Sequence, residues 1–327
     1  MKTQIKGNKT TRLLKLLQHL GSGQCVSKCE LAQQFEVSEK SIQRDIEDLR
    51  DYMSNLENYR NCEVRYNRIK KGYYIEGDRE DRLTIGETVV VVKILLESRA
   101  LVREELESIL QKVLKNISQE DRGMISKIIG NEQLHYTELT HKSKIIDKIL
   151  GLSMYIEQQE ILEISYKRQD GKKILKHIKP LNIMFSEYYF YLIAYNANEK
   201  KEDNTPIMYR IDRIQTINMI NQKFRITYNS RFEEGEFRKR IQFMYSGELR
   251  TIKFKFFGYA IEAVLDRLPT AVILEQNKDE VIFKATIYGS GIEMWLLSQG
   301  YLVEVLEPVE LRQQMIERIS RMKKIYE

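Results

Sequence analysis

At 327 residues the chain is too long for one ordinary domain, and two or three are expected. Hydrophobic residues at 42% can support real cores, 31% charged residues suit an aqueous surface, and a net charge of +6 is too mild to name a polyanionic partner by itself. No run approaches the ~18 apolar residues of a membrane span, and the opening MKTQIKGNKTTR lacks a signal-peptide core, so a cytoplasmic protein is expected.

Residues 9–20, KTTRLLKLLQHL, place Leu13, Leu17 and Leu20 on one helical face, and GSGQC then breaks the helix. In VSKCELAQQF, Ser27 and Glu30 have capping-box spacing, and Val26 can staple onto Leu31. After the turn EVS, Ser38 is the expected N-cap of EKSIQRDIEDL, where Ile42, Ile46 and Leu49 must face inward. Lys40, Ser41, Gln43 and Arg44 are then left outward on the first two turns. Short helix, tight turn and a helix with a polar N-terminal half make a helix-turn-helix pattern. Downstream, VRYNRIKKGYYIEG (64–77) predicts a hairpin wing with Arg65, Arg68, Lys70 and Lys71 toward its tip and Gly72 in the turn. Such a module binds double-stranded DNA through phosphates, with base contacts from the helix N-terminus. The alternative is a plain helical bundle with solvated charges, in which Arg44 pairs with Asp48 one turn on.

VSEKSIQRDIEDL resembles the S-x-R-T-x-x-R-D-I-x-x-L segment of DeoR-like winged-helix repressors. Lys40 stands at the usual arginine and Ser41 at the usual threonine, while Arg44, Asp45, Ile46 and Leu49 match directly.

Residues 83–118 predict two helices, the first opened by a Thr84/Glu87 capping box although Val89–Val92 mimics a strand. Val102, Leu106, Ile109, Val113 and Ile117 form the stripe of the second. A polar stretch around 118–142 precedes a further amphipathic helix in KIIDKILGLSMYI.

EILEISYKRQDGKKILKHIKPLNIMF reads as two strands around Asp170-Gly171; YYFYLIAY and IMYRIDRIQTI add two more, joined by the polar loop at 196–206. Short, locally linked strands suggest a small barrelled sheet. Alternation puts Phe190, Leu192 and Ala194 on one face and Tyr189, Tyr191 and Tyr195 on the other, with His177 and Lys179 together on the second strand. Arg210 and Asp212 share a face of the fourth strand, and Arg213 takes the opposite one. Rings can stack on bases while cations hold phosphates. On the residues alone, packed rings and a plain Arg210–Asp212 bridge are an equal alternative.

FYLIAY with YRIDRI resembles the WYL domain, a small Sm-like β-barrel, with Phe190, Tyr191 and Leu192 at the Trp-Tyr-Leu triplet over about residues 143–222. Phe for Trp removes an indole donor. The resemblance implies a nucleotide or short single-stranded nucleic-acid effector, bound at Tyr191, Arg210 and Arg213, with His177 and Lys179 as further contacts.

LRTIKFKF, YAIEAVLDRL, AVILEQNKDEVIFKATIYG, GIEMWLLSQG and YLVEVLEP run βαββαβ, a ferredoxin-like order, and a last helix starts near 309. MWLLSQGYLVEVLEPVELR resembles the C-terminal extension that accompanies WYL domains; Trp295 reads as core.

The expected architecture is multidomain α+β: winged helix-turn-helix 1–82, helical connector 83–142, Sm-like barrel 143–222, linker 223–246 and ferredoxin-like unit 247–327. The expected function is a DNA-binding transcriptional regulator, a homodimer with recognition helices about 34 Å apart or a multiple. The alternative is a constitutive nucleic-acid-binding accessory protein without an effector. An enzyme is disfavoured, and no metal or cofactor is expected. His19, His135, His141 and His177 are scattered, no nucleophile stands beside a base, and Cys25, Cys29 and Cys62 lack paired zinc-site spacing and read as reduced thiols.

Overall fold

The computed structural model describes residues 8–21, 23–77, 83–115, 117, 119–198, 205–225 and 234–327. Parts of the expected 196–206 loop and 223–246 linker, and both ends of the expected 1–82 module, lie outside the described residues. The chain divides after Lys142 into two compact units.

The N-terminal unit begins with α1 (Lys9–Gly21), α2 (Lys28–Phe35) and α3 (Glu39–Ser54), followed by the hairpin β1 (Glu63–Asn67) and β2 (Gly72–Glu76). Ser38 caps α3 by accepting the Ser41 N–H at 3.2 Å. Ser27 precedes α2, but its hydroxyl makes no capping bond, so the expected Ser27–Glu30 box does not form. Ile42, Ile46 and Leu49 close over Leu16, Leu20, Leu31, Phe35, Val64 and Tyr73. Leu16 is the deeper α1 anchor, and Leu13 is only half-buried. Gly72 does not make the wing turn. It opens β2, where an added Cβ would lie 2.7 Å from Cys25 Sγ. Asn67 Oδ1 organises the turn instead, accepting the Ile69 and Lys70 N–H groups at 3.0 and 2.9 Å.

Under this core lies an ion pair. Arg12 donates to Asp45 through Nε at 2.8 Å and Nη2 at 3.3 Å, with only 13% and 3% of the two side chains exposed. Arg50 donates through Nε and Nη2 to the Val64 carbonyl at 3.1 and 2.8 Å, fastening the wing to α3.

The capping box at Thr84 and Glu87 starts α4 (Ile85–Ser98), and α5 (Arg103–Lys115) buries Leu106 and Leu110 rather than Ile109. A third helix, α6 (Gln119–Leu134), fills most of the polar stretch at 118–142, within the expected helical connector, where no separate helix was assigned. Gly123 and Gly130 and a polar surface hid it; two anchors one turn apart, Ile125 and Ile129, are fully buried.

The C-terminal unit opens with α7 (Ile146–Gln158) and five antiparallel strands: β3 (Glu160–Lys167), β4 (Lys173–Ser186), β5 (Tyr189–Asn196), β6 (Ile207–Arg210) and β7 (Ile214–Lys223). Their order is β6-β5-β4-β3-β7. The expected continuous fourth strand breaks at a 3-10 turn, Ile211–Arg213, between β6 and β7. Pro180, which lacks an N–H, lies at a register shift that bends the long strand β4. One sheet face buries Leu162, Ile164, Ile178, Leu192, Ala194 and Tyr209 under Leu152 of α7.

The other face is a second core. Leu181, Met184 and Ile193 pack with Phe224, Ile241, Met244 and Tyr288, and Tyr191 and Tyr195 lie against them. The segment expected as a linker therefore contains α8 (Glu234–Arg240) and three buried anchors. Beyond it β8 (Leu249–Phe256), α9 (Ile261–Arg267), β9 (Val272–Gln276), β10 (Val281–Tyr288), α10 (Gly291–Ser298) and β11 (Val303–Glu307) form an antiparallel sheet in the order β11-β8-β10-β9, the ferredoxin-like arrangement, and α11 (Val309–Tyr326) follows. Phe254 and Phe283 stack at 5.4 Å, with Trp295 edge-on to Phe254 at 5.8 Å.

Two stability measurements follow from these cores. Asp45→Ala leaves the Arg12 charge stranded and should cost about 3 kcal/mol or more. Lys9→Ala, which removes an exposed 2.7 Å pair with Asp48, should cost under about 1 kcal/mol; urea unfolding followed by circular dichroism compares them. Burial pushes the Tyr191 and Tyr288 hydroxyls up from 10.0 to about 12. The unfolded chain ionises first, so their contribution is complete below the unfolded value and is lost as pH rises through the folded one. Tyr191→Phe should therefore move the alkaline unfolding midpoint upward, read by a pH titration of fluorescence.

Candidate nucleic-acid interface and effector site

The N-cap at Ser38 fixes which side of α3 faces out. Lys40 and Arg44 are exposed, Ser41 and Gln43 half-buried. Arg44 does not pair with Asp48, which takes Lys9 instead. Neither Lys40 nor Arg44 has a carboxylate partner among the described residues, leaving two unneutralised cations at the recognition helix N-terminus. Gln43 is committed differently. Its Oε1 accepts from Lys28 Nζ at 3.1 Å and from the Tyr73 hydroxyl at 2.9 Å, and its amide donates to Glu47 at 3.0 Å. It ties α2, α3 and the wing together.

On the wing, Arg65 lies between Glu63, at 3.0 Å, and Glu76, and these carboxylates raise its pKa. Arg68, Lys70 and Lys71 are exposed around the turn, with Lys71 in the left-handed region at φ 49°. Ile69, almost fully exposed between them, is an apolar tip residue that charge counting missed.

In the C-terminal unit, antiparallel pairing sets Tyr191 opposite Arg210. Arg210 donates to Asp212 through Nε at 3.1 Å and Nη2 at 2.8 Å, and its guanidinium lies 3.4 Å from the Tyr189 ring centroid. Burial lowers the Arg210 pKa, but the hydrogen bond and charge of Asp212 outweigh it, and the net direction is upward. Only 18% of Arg210 and 5% of Asp212 is exposed. The bridge between them is structural, and the cation shows itself through a ring stacked on its face.

The other expected contacts separate. Tyr191 packs on the second core. His177 Nε2 meets Glu163 at 3.0 Å on the neighbouring strand, which, with Asn218, holds that carboxyl below its usual range. Lys179 pairs in register with Tyr195. Arg213 is half-buried in the 3-10 turn, so strand alternation no longer assigns its side. Neither Lys179 nor Arg213 has a carboxylate partner among the described residues.

Lys148 of α7 was overlooked. Its ammonium donates to the Ile214 carbonyl at 2.8 Å, and burial lowers its pKa against the opposing pull of Asp212. The signal was a lysine on the apolar stripe of Ile145, Ile149 and Leu152. Among the described residues no cluster of His, Cys, Asp or Glu is placed to hold a metal, and Cys25, Cys29 and Cys62 form no disulfide. No helix of the described residues is long and apolar enough to cross a membrane.

Three family models match the chain in order: an HTH domain over residues 12–79, a WYL domain over 148–219 and a WCX domain over 248–323. No curated protein gives a significant match. Among solved structures the chain is similar to proteasome accessory factor B/C (PafBC) of Arthrobacter aurescens, at 15% identity and a TM-score of 0.32 over 94% of this chain and 47% of that one. It thus spans about half the length of that chain. A CRISPR Cas-related protein is similar at 13% identity and a TM-score of 0.39, over 97% of this chain and 83% of that one. With its HTH, WYL and WCX domains in this order, the chain belongs to the WYL-domain-containing helix-turn-helix transcriptional regulators.

Proposed function

We propose that the C-terminal unit senses a nucleotide or short single-stranded nucleic acid, and that occupancy there alters the grip of the winged helix on an operator. The observation that carries the sensing reading is the Tyr189–Arg210 stack at 3.4 Å, held from behind by Asp212. It presents an oriented aromatic edge beside positive charge, with Lys179 on the same small sheet and Arg213 in the 3-10 turn between two of its strands, neither with a carboxylate partner among the described residues. Bases stack on such rings and phosphates seek such cations. Tyr191 and Arg210 shape the platform in this reading, and His177 acts only through Glu163.

On the DNA side, Lys40, Ser41 and Arg44 meet the major groove while Arg68, Lys70 and Lys71 take backbone phosphates. A homodimer would present two such helices about 34 Å apart, or a multiple, to a pseudo-palindrome. For a full swing in occupancy the effector must favour one state by on the order of 5 kcal/mol. The activity is binding, without a catalytic step. The packing of Tyr191 and the closed Arg210–Asp212 bridge favour a second reading, a constitutive nucleic-acid-binding accessory protein.

Arg68→Ala should weaken duplex binding and reduce the slope of log affinity against log salt by about 0.9, the share of one phosphate contact; unchanged affinity and slope would remove Arg68 from the interface. Effector titration in a mobility-shift assay separates the two readings. Short single strands should change the wild-type affinity for duplex, and Tyr189→Ala or Arg213→Ala should lose that change while binding duplex normally. A wild type indifferent to every nucleotide and oligonucleotide leaves the constitutive reading.

A further inference from the structure

Two clefts of the C-terminal unit meet at one arginine. The larger, about 540 Å³, is an aromatic compartment with Phe256 and Trp295 at its floor, Phe243 on a wall and Tyr259 on the rim. The smaller, about 320 Å³, is lined by Arg238 and Lys239 from the end of α8, with Glu187 and Asp266. Arg267, Phe243 and Glu187 line both. Both volumes fall in the range of small-molecule sites, roughly 300–1,000 Å³.

The local sequence builds this shape. Gly258 lets the chain cross the Phe256 ring, because an added Cβ would stand 2.4 Å from it. The next residue, Tyr259, is fully exposed, its phenol ring on the rim with nothing packed over it. Arg267, closing α9, lies over the Phe243 ring at 4.7 Å. Its Nη1 and Nη2 both reach a single oxygen of Glu187, each at a long 3.4 Å, and its Nε is buried without an acceptor among the described residues. A guanidinium offers five N–H donors in a fixed fork, and this one is poorly satisfied. On the basic side Lys239 pairs with Glu236 at 2.7 Å and Arg238 donates to the Phe185 carbonyl, so Arg267 is the least satisfied of the three cations, while the aromatic side carries no charge beyond Arg267 and Glu187. An inorganic anion would leave the rings unused, and a purely apolar ligand would leave the arginine unmet.

We propose that this double cleft binds one nucleotide of the effector, its base in the aromatic compartment against Tyr259 and its phosphate on Arg267, Arg238 and Lys239. The inference rests on the sensing reading above and adds a second contact region to it. Glu187 lies two residues before Tyr189 on the turn between β4 and β5, so one hairpin serves both the barrel platform and the cleft. The incoming phosphate takes over the Arg267 donors now shared on one Glu187 oxygen.

Trp295 is the only tryptophan of the chain, which makes its emission a reporter of this cleft. The experiment titrates the full chain with hexathymidylate, following tryptophan emission and, with a labelled strand, anisotropy. The wild type should bind with a change in emission. Tyr259→Ala, whose exposed ring supports no fold, should weaken binding about tenfold, the loss of one base stack, and Arg267→Gln should weaken it further. Binding by Tyr259→Ala within twofold of wild type and without an emission change would overturn the cleft while leaving the barrel platform standing. Absence of any binding by the wild type overturns both.

Discussion

A five-stranded sheet buried on both faces is the constraint on which the C-terminal unit depends. One face is closed by α7, as the helix-strand order implies. The other is closed by the chain's own continuation, Phe224, Ile241 and Met244, and by Tyr288 from the ferredoxin-like domain. The hydrophobic effect thus joins the five-stranded sheet and the C-terminal domain through side chains that a strand-by-strand reading would leave in water. This double burial explains why Tyr191 and Tyr195 pack on a core and why Phe224, Ile241 and Met244 are buried.

The same constraint decides the chemistry of the remaining polar groups. Arg210 stands where the second core gives way to the sheet edge, and a charge at that depth needs a partner. Asp212 provides it with two hydrogen bonds, Lys148 adds a second positive neighbour, and Tyr189 covers the guanidinium face. Arg210 is thereby committed to the fold, whereas Arg213 and Lys179 have no carboxylate partner among the described residues. The N-terminal unit obeys the same logic. Asp45, part of the Arg-Asp-Ile segment of the recognition helix, points inward to Arg12, while Arg44 points outward unpaired.

Much of this was legible in the sequence. Spacing of Ile42, Ile46 and Leu49 oriented the recognition helix, Ser38 capped it, and the βαββαβ order gave the C-terminal domain. Phe190, Leu192 and Ala194 were placed on the correct face. What escaped is pairing between residues far apart in sequence. Nothing local tells that Asp45 will meet Arg12, that Ile193 faces Tyr288's cluster, or that Gln43 will accept from Tyr73. Propensity also misled: Gly123 and Gly130 concealed α6, and the apparent continuity of YRIDRI concealed the 3-10 turn that reorients Arg213. Of the expected effector residues, Tyr191 and Arg210 are paired across neighbouring strands, whereas His177 meets Glu163, Lys179 pairs with Tyr195 and Arg213 lies in the 3-10 turn, placements that alternation could not supply.

The Arg50 clamp on the Val64 carbonyl and the Gln43 junction make recognition helix and wing a single preformed tool. Little ordering entropy remains to be lost when such a tool meets DNA, so its affinity can rest on few contacts. The same rigidity narrows how operator preference can drift. A change at position 43 would loosen the wing, because Gln43 is bonded to Lys28, Glu47 and Tyr73, whereas the exposed Lys40 and Arg44 side chains can be exchanged without touching that joint.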